Sequence, residues 1–174
     1  MAEKGVPSRE QQVYWQEFVQ LKADSCYVRD YRNDLNRWVT GVATIRAVAS
    51  AGGIAAWAVW RQYAYIWACF IAGSQVVDAL KNVFPFYKRR DSLSKWSRAL
   101  NRLFVEAQRD WEEVAAGRCT DSQINKLSHQ LRLKKERAEA KYVPHGLALR
   151  QDLFDSAQSE AARFFAVRYD SMEE

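Results

Sequence analysis

The middle of the chain contains two uncharged runs, AVASAGGIAAWAVW at residues 47–60 and YAYIWACFIAGSQVV at residues 63–77. Arg61 and Gln62 are the two residues between them. Each run is shorter than the roughly 20 residues of a membrane-spanning helix. The two runs nevertheless hold nearly all of the uninterrupted apolar sequence, and the short polar break between them is typical of a tight turn. This pattern predicts an antiparallel pair of apolar helices.

Each run reaches the length of a membrane-spanning helix if one charged residue is allowed within it. Admitting Arg46 and Asp78 gives segments at about 39–60 and 63–84, which predict a transmembrane hairpin over residues 38–84. At about 1.5 Å per residue, the two charges lie at nearly the same depth on either side of the turn. Three roles are open to them: an intramembrane charge pair, separate snorkelling to the interface, or a place on the wall of a pore.

Aromatic residues support a spanning hairpin, because they cluster at both of its ends, as interfacial aromatics do in a bilayer. The alternative is an ordinary aromatic core in a soluble helical bundle. The clusters are Trp57, Trp60, Tyr63, Tyr65 and Trp67 at the turn, and Trp38, Phe84, Phe86 and Tyr87 at the other end. Small residues such as Ala49 and Gly53, in small-xxx-small register, favour close helix packing in lipid.

Basic residues set the expected orientation. Lys and Arg are frequent on both flanks of the hairpin, whereas its turn carries only Arg61. The positive-inside rule therefore predicts that both termini are cytoplasmic. Residues 1–30 contain no apolar run of the signal-peptide type, so no cleavable leader is expected. The chain divides into an N-terminal helical arm at 1–37, the hairpin at 38–84 and a helical C-terminal domain at 85–174.

The flanking regions show helical rather than strand periodicity, so we predict an all-α protein. Ser8-x-x-Gln11 and Thr120-x-x-Gln123 match capping boxes that begin helices. Gly117 and the Pro144-His145-Gly146 segment predict helix ends. Apolar residues recur in steps of three and four along the proposed helices. They are Tyr14, Phe18, Leu21, Val28, Tyr31, Leu35 and Trp38; Leu93, Trp96, Leu100, Leu103 or Phe104, Ala107, Trp111 and Val114; Ile124, Leu127 and Leu131; and Leu149, Leu153, Phe154, Ala157, Ala161, Phe164 and Phe165.

The net charge of +5 is concentrated in two basic segments. Residues 81–109 contain eight Lys or Arg and two acids, and we interpret this segment, which adjoins the predicted hairpin, as one attracted to anionic lipid headgroups. Residues 126–141 contain six Lys or Arg and two acids. A solvated helix face is one interpretation of the second segment, and a site for a phosphate-bearing ligand is the other. The candidate ligand contacts are Arg132, Lys134, Lys135 and Arg137.

The sequence offers little for catalysis, cofactor binding or metal binding. It has no phosphate-cradling Gly-rich loop and no CxxC motif. Its three cysteines are odd in number and scattered, which argues against a disulfide framework. His129 and His145 form no recognisable metal or nucleophile–base pattern. We therefore expect no enzyme activity, no cofactor and no metal.

The layout resembles the SLATT family, the two-transmembrane effectors of bacterial nucleotide-signalled anti-phage systems. The resemblance covers residues 8–168 and is carried by the arm YVRDYRNDLNRW at 27–38, the hairpin at 42–84, and the helices that contain RDWEEV and TDSQINKLSHQL. It implies a pore-forming or membrane-disrupting effector in the bacterial inner membrane. Its control would come from a nucleotide or oligonucleotide signal made by a partner nucleotidyltransferase. It implies no catalytic residue.

A single hairpin has no lumen, so a pore requires a homo-oligomer, and four hairpins with eight helices predict a tetramer. Polar residues within apolar segments tend to face a cavity or another helix, which makes Ser50, Ser74, Gln75 and Asp78 the candidate pore-lining residues. Two other classes of function stay open. One is a non-conducting membrane scaffold that recruits a partner, and the other is a soluble basic helical bundle that binds nucleic acid.

Overall fold

A computed structural model describes residues 7–59, 65, 72–73 and 86–169. The helices in these residues are α1 (Arg9–Val59), α2 (Phe86–Ala115), α3 (Asp121–Tyr142) and α4 (Gln151–Tyr169). No strand occurs in the same residues. The predicted all-α fold is therefore confirmed for the part of the chain that the structure describes.

Both predicted capping boxes begin helices. The backbone N–H of Ser8 donates to Oε1 of Gln11 at 2.9 Å, and the N–H of Gln11 donates to Oγ of Ser8 at 3.3 Å. Thr120 and Gln123 make the same reciprocal pair at the start of α3, with distances of 2.8 and 3.4 Å. Each box satisfies two donors that the first helical turn leaves without a partner.

The predicted breaks end helices. After α2, Gly117 has a φ of +69°, and its N–H donates to the carbonyl of Val114 while the N–H of Arg118 donates to that of Glu113. These two bonds form a Schellman motif, for which glycine is suited because it has no Cβ to clash at positive φ. After α3, Gly146 has a φ of +66°, and its N–H donates to the carbonyl of Val143.

The described residues fall into two compact units. The first comprises residues 1–32 and 92–174, so the N-terminal arm packs with the C-terminal helices. The second comprises residues 33–91, of which the structure describes the later part of α1 and a few further positions. Helix α1 begins in the first unit and ends in the second.

The core of the first unit is built from the predicted apolar seams. The interior positions on α1 are Tyr14, Phe18, Leu21, Ala23, Cys26 and Val28; on α2 they are Leu93, Trp96, Leu100, Leu103, Phe104, Ala107 and Val114. Helix α3 and its C-cap contribute Ile124, Leu131 and Val143, and α4 contributes Ala157, Ala161 and Phe165. Two positions assigned to these seams, Trp38 and Leu149, are instead 70% and 69% exposed.

Aromatic rings from three helices meet in the centre of this core. Phe18 stacks on Phe104 with their ring centres 5.0 Å apart, and Phe165 meets Phe18 edge-on at 5.1 Å. Trp15 packs against Trp111 at 4.7 Å and against Phe165 at 5.0 Å. Such contacts add about 0.5–1.5 kcal/mol per pair to the burial of the rings, so α1, α2 and α4 are joined mainly by aromatic packing.

No helix within residues 7–59, 65, 72–73 and 86–169 is both long and apolar enough to cross a membrane. Much of the predicted hairpin is not among these residues. The turn at Arg61 and Gln62, the candidate pore residues Ser74, Gln75 and Asp78, and the side chains of Arg46 and Ser50 all lie outside the described residues.

Candidate functional site

The predicted ligand cations of α3 are largely engaged within the bundle. Nε and Nη2 of Arg132 both lie 2.8 Å from Oε1 of Glu17 on α1. Lys135 forms an ion pair with Asp24, also on α1. These contacts join α3 to α1, so Arg132 and Lys135 both help to hold the bundle together without any ligand.

The other two cations differ from each other. Nζ of Lys134 lies 2.5 Å from Oε2 of Glu106 on α2. Arg137 is exposed and forms no ion pair among the described residues. Three of the four candidate contacts are thus already matched to carboxylates, and a phosphate that bound them would have to compete with those carboxylates.

These ion pairs add to a small apolar contact between α3 and the rest of the bundle. The buried residues of α3 are Ile124, Ser128 and Leu131, a narrow seam for a helix of 22 residues. Lys135 and Asp24 have side chains that are 30% and 24% exposed, the least exposed of the three pairs. A partly desolvated pair is less screened by water and salt than a surface pair, so the Lys135–Asp24 contact is the strongest electrostatic link of α3.

A groove on α4 has a different charge balance. Residues of one helical face line a cavity of about 490 Å³. Their spacing of i, i+3, i+4, i+7 and i+8 places them on one side of the helix. We call this the α4 groove, and it is lined by Glu160, Arg163, Phe164, Val167 and Arg168.

The one acid of the α4 groove is neutralised. Arg29 donates from Nη1 to Oε1 of Glu160 at 2.8 Å and from Nη2 to Oε2 at 2.5 Å. This bidentate contact holds the pKa of Glu160 down at about 2, so the carboxylate stays ionised, and it raises the pKa of Arg29. The pair occupies both oxygens of Glu160 and leaves it little capacity to bind the arginines of its own helix.

Those arginines are without a carboxylate partner. Arg163 and Arg168 are exposed and form no ion pair in the described part of the chain. Between them, Phe164 is half-buried and Val167 is 70% exposed. Nζ of Lys22 lies 4.3 Å from the centre of the Phe164 ring, which adds a further positive charge beside the groove. The α4 groove is therefore cationic at its edges and apolar at its centre.

Cys26 lies close to this region and is 2% exposed. Burial is the main reason that the pKa of its thiol is raised. The positive charge of Lys22 lowers this pKa, and the negative charge of Glu160 raises it. A thiol held protonated in a closed core is a poor nucleophile, so Cys26 is a packing residue. Within the described ranges, no group of three or more His, Cys, Asp or Glu side chains is placed to hold a metal ion.

The sequence did not single out the α4 groove. Phe164 was assigned to the core, and Arg163 and Arg168 are isolated basic residues outside the two basic segments. The helical spacing from Glu160 to Arg168 was readable from the sequence. What could not be read was that Arg29, 131 residues earlier, occupies the one acid of this face.

No protein-family model matches the chain, and comparisons with curated proteins and with solved structures find no similar protein. The SLATT resemblance therefore stays a hypothesis that rests on the layout of the sequence.

Proposed function

We propose that this protein is a pore-forming effector of the bacterial inner membrane, acting in anti-phage defence and gated by a nucleotide or oligonucleotide. In this proposal residues 38–84 form the transmembrane hairpin, and hairpins from four copies surround the pore. The first unit is the cytoplasmic regulatory domain. A partner nucleotidyltransferase would make the signal.

The observation that carries the membrane assignment is the distribution of apolar residues along the chain. The first unit has a hydrophobic core of its own, with buried side chains from within residues 14–28 and 93–165. The most apolar part of the sequence lies elsewhere, in the two uncharged runs at residues 47–60 and 63–77. Exposure of such runs to water is unfavourable, so they favour an apolar environment. A bilayer and neighbouring hairpins would supply that environment.

Exposed aromatic residues at the ends of the hairpin support the same assignment. Trp38 is 70% exposed and Tyr65 is 90% exposed. Trp38 lies at the open end of the proposed hairpin and Tyr65 near its turn, where the two interfaces of the membrane would be. Trp and Tyr favour that position because their rings are apolar and their N–H or O–H groups remain hydrated.

Gating would follow from differential binding. A nucleotide that binds the helical bundle more tightly in one conformation shifts the population of the oligomer toward that conformation. Ser50, Ser74, Gln75 and Asp78 are the candidate pore-lining residues of the proposal, and Arg46 is the candidate partner of Asp78. Pairing within one hairpin would offset the cost of placing both charges at membrane depth.

The first experiment reconstitutes the full chain into liposomes and measures insertion and ion flux separately. Resistance to alkaline extraction reports insertion, and release of an entrapped dye or ion reports conduction. Flux is measured with and without a short oligoadenylate. We expect insertion, flux and a change of flux with the nucleotide.

Pore variants sharpen this experiment. Ser74→Leu and Gln75→Leu place apolar bulk at candidate lining positions, and Val76→Leu is a matched neighbour of similar size. We expect the first two to reduce flux and the control to leave it unchanged. An inserted protein that conducts nothing would replace the pore with a scaffold. A protein that remains in solution and binds nucleic acid with a steep salt dependence would replace the membrane assignment altogether.

A further inference from the structure

The two basic regions of the bundle differ in whether their charges are available. On α3, Arg132, Lys134 and Lys135 are paired with carboxylates of α1 and α2. On α4, Arg163 and Arg168 form no ion pair among the described residues. An incoming anion displaces no carboxylate from the two α4 arginines, although the side chain of Arg168 is hydrogen-bonded to that of Tyr169, so the free-energy cost of binding there is smaller.

The placement of the two arginines suits a ligand with more than one negative charge. They are five residues apart, which is about 7.5 Å along the helix axis and about 140° around it. They therefore lie on opposite edges of the α4 groove. A guanidinium binds phosphate through two parallel hydrogen bonds, so each arginine can hold one phosphate group.

The centre of the groove suits a planar group. Phe164 lines the groove and is half-buried. Nζ of Lys22 lies over its ring, 4.3 Å from the ring centre, and the rings of Phe104 and Phe165 meet it edge-on at 5.7 and 5.3 Å. A base that stacked on Phe164 would use the part of the ring that these neighbours leave accessible. Val167 provides a second apolar surface on the same face. A nucleic-acid base can stack on the accessible part of an aromatic ring. The groove is largely open to solvent, with a volume of about 490 Å³, so a ligand would lie along the helix surface.

We propose that the α4 groove binds the phosphate-bearing nucleotide, with Arg163 and Arg168 holding phosphates and Phe164 stacking on a base. The inference rests on the proposed function for its ligand class, and it moves the ligand site from α3 to α4. Glu160 does not oppose the ligand strongly, because Arg29 occupies both of its carboxylate oxygens.

The test uses the full chain in detergent and measures the fluorescence anisotropy of a labelled tri-adenylate. The groove variant is Arg163→Gln with Arg168→Gln. The matched control is Lys126→Gln with Arg137→Gln, which removes the same charge from exposed positions of α3 that form no ion pair among the described residues. A third variant, Phe164→Leu, retains apolar volume and removes the aromatic ring.

We expect the groove variant to weaken binding at least about tenfold and Phe164→Leu to weaken it severalfold, since the first removes charge-assisted hydrogen bonds and the second removes base stacking. The control should change the dissociation constant less than about twofold. Helix content and melting temperature of the groove variant should match those of the wild type, because exposed substitutions have small effects on folding.

Three results would overturn the inference: equal weakening by the control, which indicates general attraction of a polyanion; weakening by the control alone, which returns the site to α3; and no binding of tri-adenylate by the wild type. These results are separable from failure of the pore. Flux that persists without nucleotide binding retains the pore and removes the groove site. Groove-specific binding by a protein that does not conduct retains the site and removes the pore.

Discussion

Arg29 and Glu160 form a bidentate ion pair that joins α1 to α4, with N···O distances of 2.8 and 2.5 Å. The pair connects residues 131 positions apart in the chain. Its two hydrogen bonds fix the direction of both side chains, which a single lysine contact would not do. The contact links α1 to α4 and offsets the negative charge of Glu160 in the α4 groove.

This pair predicts a loss of stability in acid. The pKa of Glu160 is about 2 in the folded protein against an ordinary value of 4.5. A carboxyl whose pKa is lowered by folding contributes stability that is fully present above pH 4.5 and is lost as the pH falls toward 2. The two side chains are 39% and 41% exposed, so water screens the pair and we expect a contribution of about 1 kcal/mol.

The measurement is the melting temperature of the full chain in detergent between pH 2 and pH 7, for the wild type and for Glu160→Gln. The variant should melt at a lower temperature at pH 7, and the difference should shrink as the pH falls. Glu136→Gln is a suitable control, because it makes the same change at an exposed position of α3 that forms no ion pair among the described residues. A constant difference across the range would show that the effect of Glu160 is packing and not charge.

The attachment of α3 predicts unequal effects of its lysines. Lys135 and Asp24 are 30% and 24% exposed, whereas Lys134 and Glu106 are 52% and 50% exposed. Lys135→Gln should therefore lower the free energy of unfolding by about 1 kcal/mol or more, and Lys134→Gln by a few tenths. Denaturant titrations at low and high salt measure both effects. Equal losses, or a larger loss for Lys134→Gln, would contradict the burial argument.

The sequence was sufficient for the starts of α1 and α3 and for the end of α2, because these depend on local chemistry. Thr120 and Gln123 are three residues apart and make the predicted capping bonds with each other. Gly117 ends α2 because a residue at positive φ is needed there. The apolar seam of α2 was equally readable, since its spacing of three and four residues determines which side is buried.

Which charged residues form ion pairs could not be predicted from the sequence in the same way. Arg132 and Lys135 form a basic cluster in the sequence, yet each faces an acid more than 100 positions earlier. A basic segment has the same appearance in a sequence whether its charges are paired or free. Only the packing of α3 against α1 distinguishes these cases. The arginines of α4, Arg163 and Arg168, have no such carboxylate partner among the described residues.

Tyr14 provides a test of the core. Its side chain is fully buried, and its hydroxyl donates to the carbonyl of Ala107 on α2 at 3.2 Å. Burial is also the main reason that the pKa of this phenol is raised. Tyr14→Phe should cost about 1 kcal/mol, because the Ala107 carbonyl loses its side-chain donor. Tyr14→Ala should cost about 3–5 kcal/mol through the cavity that it leaves.

Denaturant titration measures both Tyr14 variants, and Tyr142→Phe, at the half-buried end of α3, is the control. The control should change the free energy of unfolding by less than about 0.5 kcal/mol. A Tyr14→Phe protein as stable as the wild type would show that the bond to Ala107 contributes nothing net.

Two glycines are expected to respond in opposite directions to alanine. Gly117 has a φ of +69°, so a Cβ there is strained even though no atom lies within 4 Å of it, and Gly117→Ala should cost about 1 kcal/mol. Gly41 lies inside α1 with ordinary helical geometry, and an added Cβ would also meet nothing within 4 Å. Because alanine is the better helix former by about 1 kcal/mol, Gly41→Ala should leave a lone chain as stable or more stable.

Gly41 therefore also probes assembly. In the proposed oligomer this glycine lies near one end of the hairpin, where close helix packing favours small residues. Thermal melts in detergent, with chemical cross-linking to count subunits, follow both properties for the Gly41→Ala protein. An unchanged oligomer with equal or higher stability would place Gly41 away from the subunit contact. A dissociated oligomer of intact, helical chains would place a neighbouring copy directly against α1 at this residue.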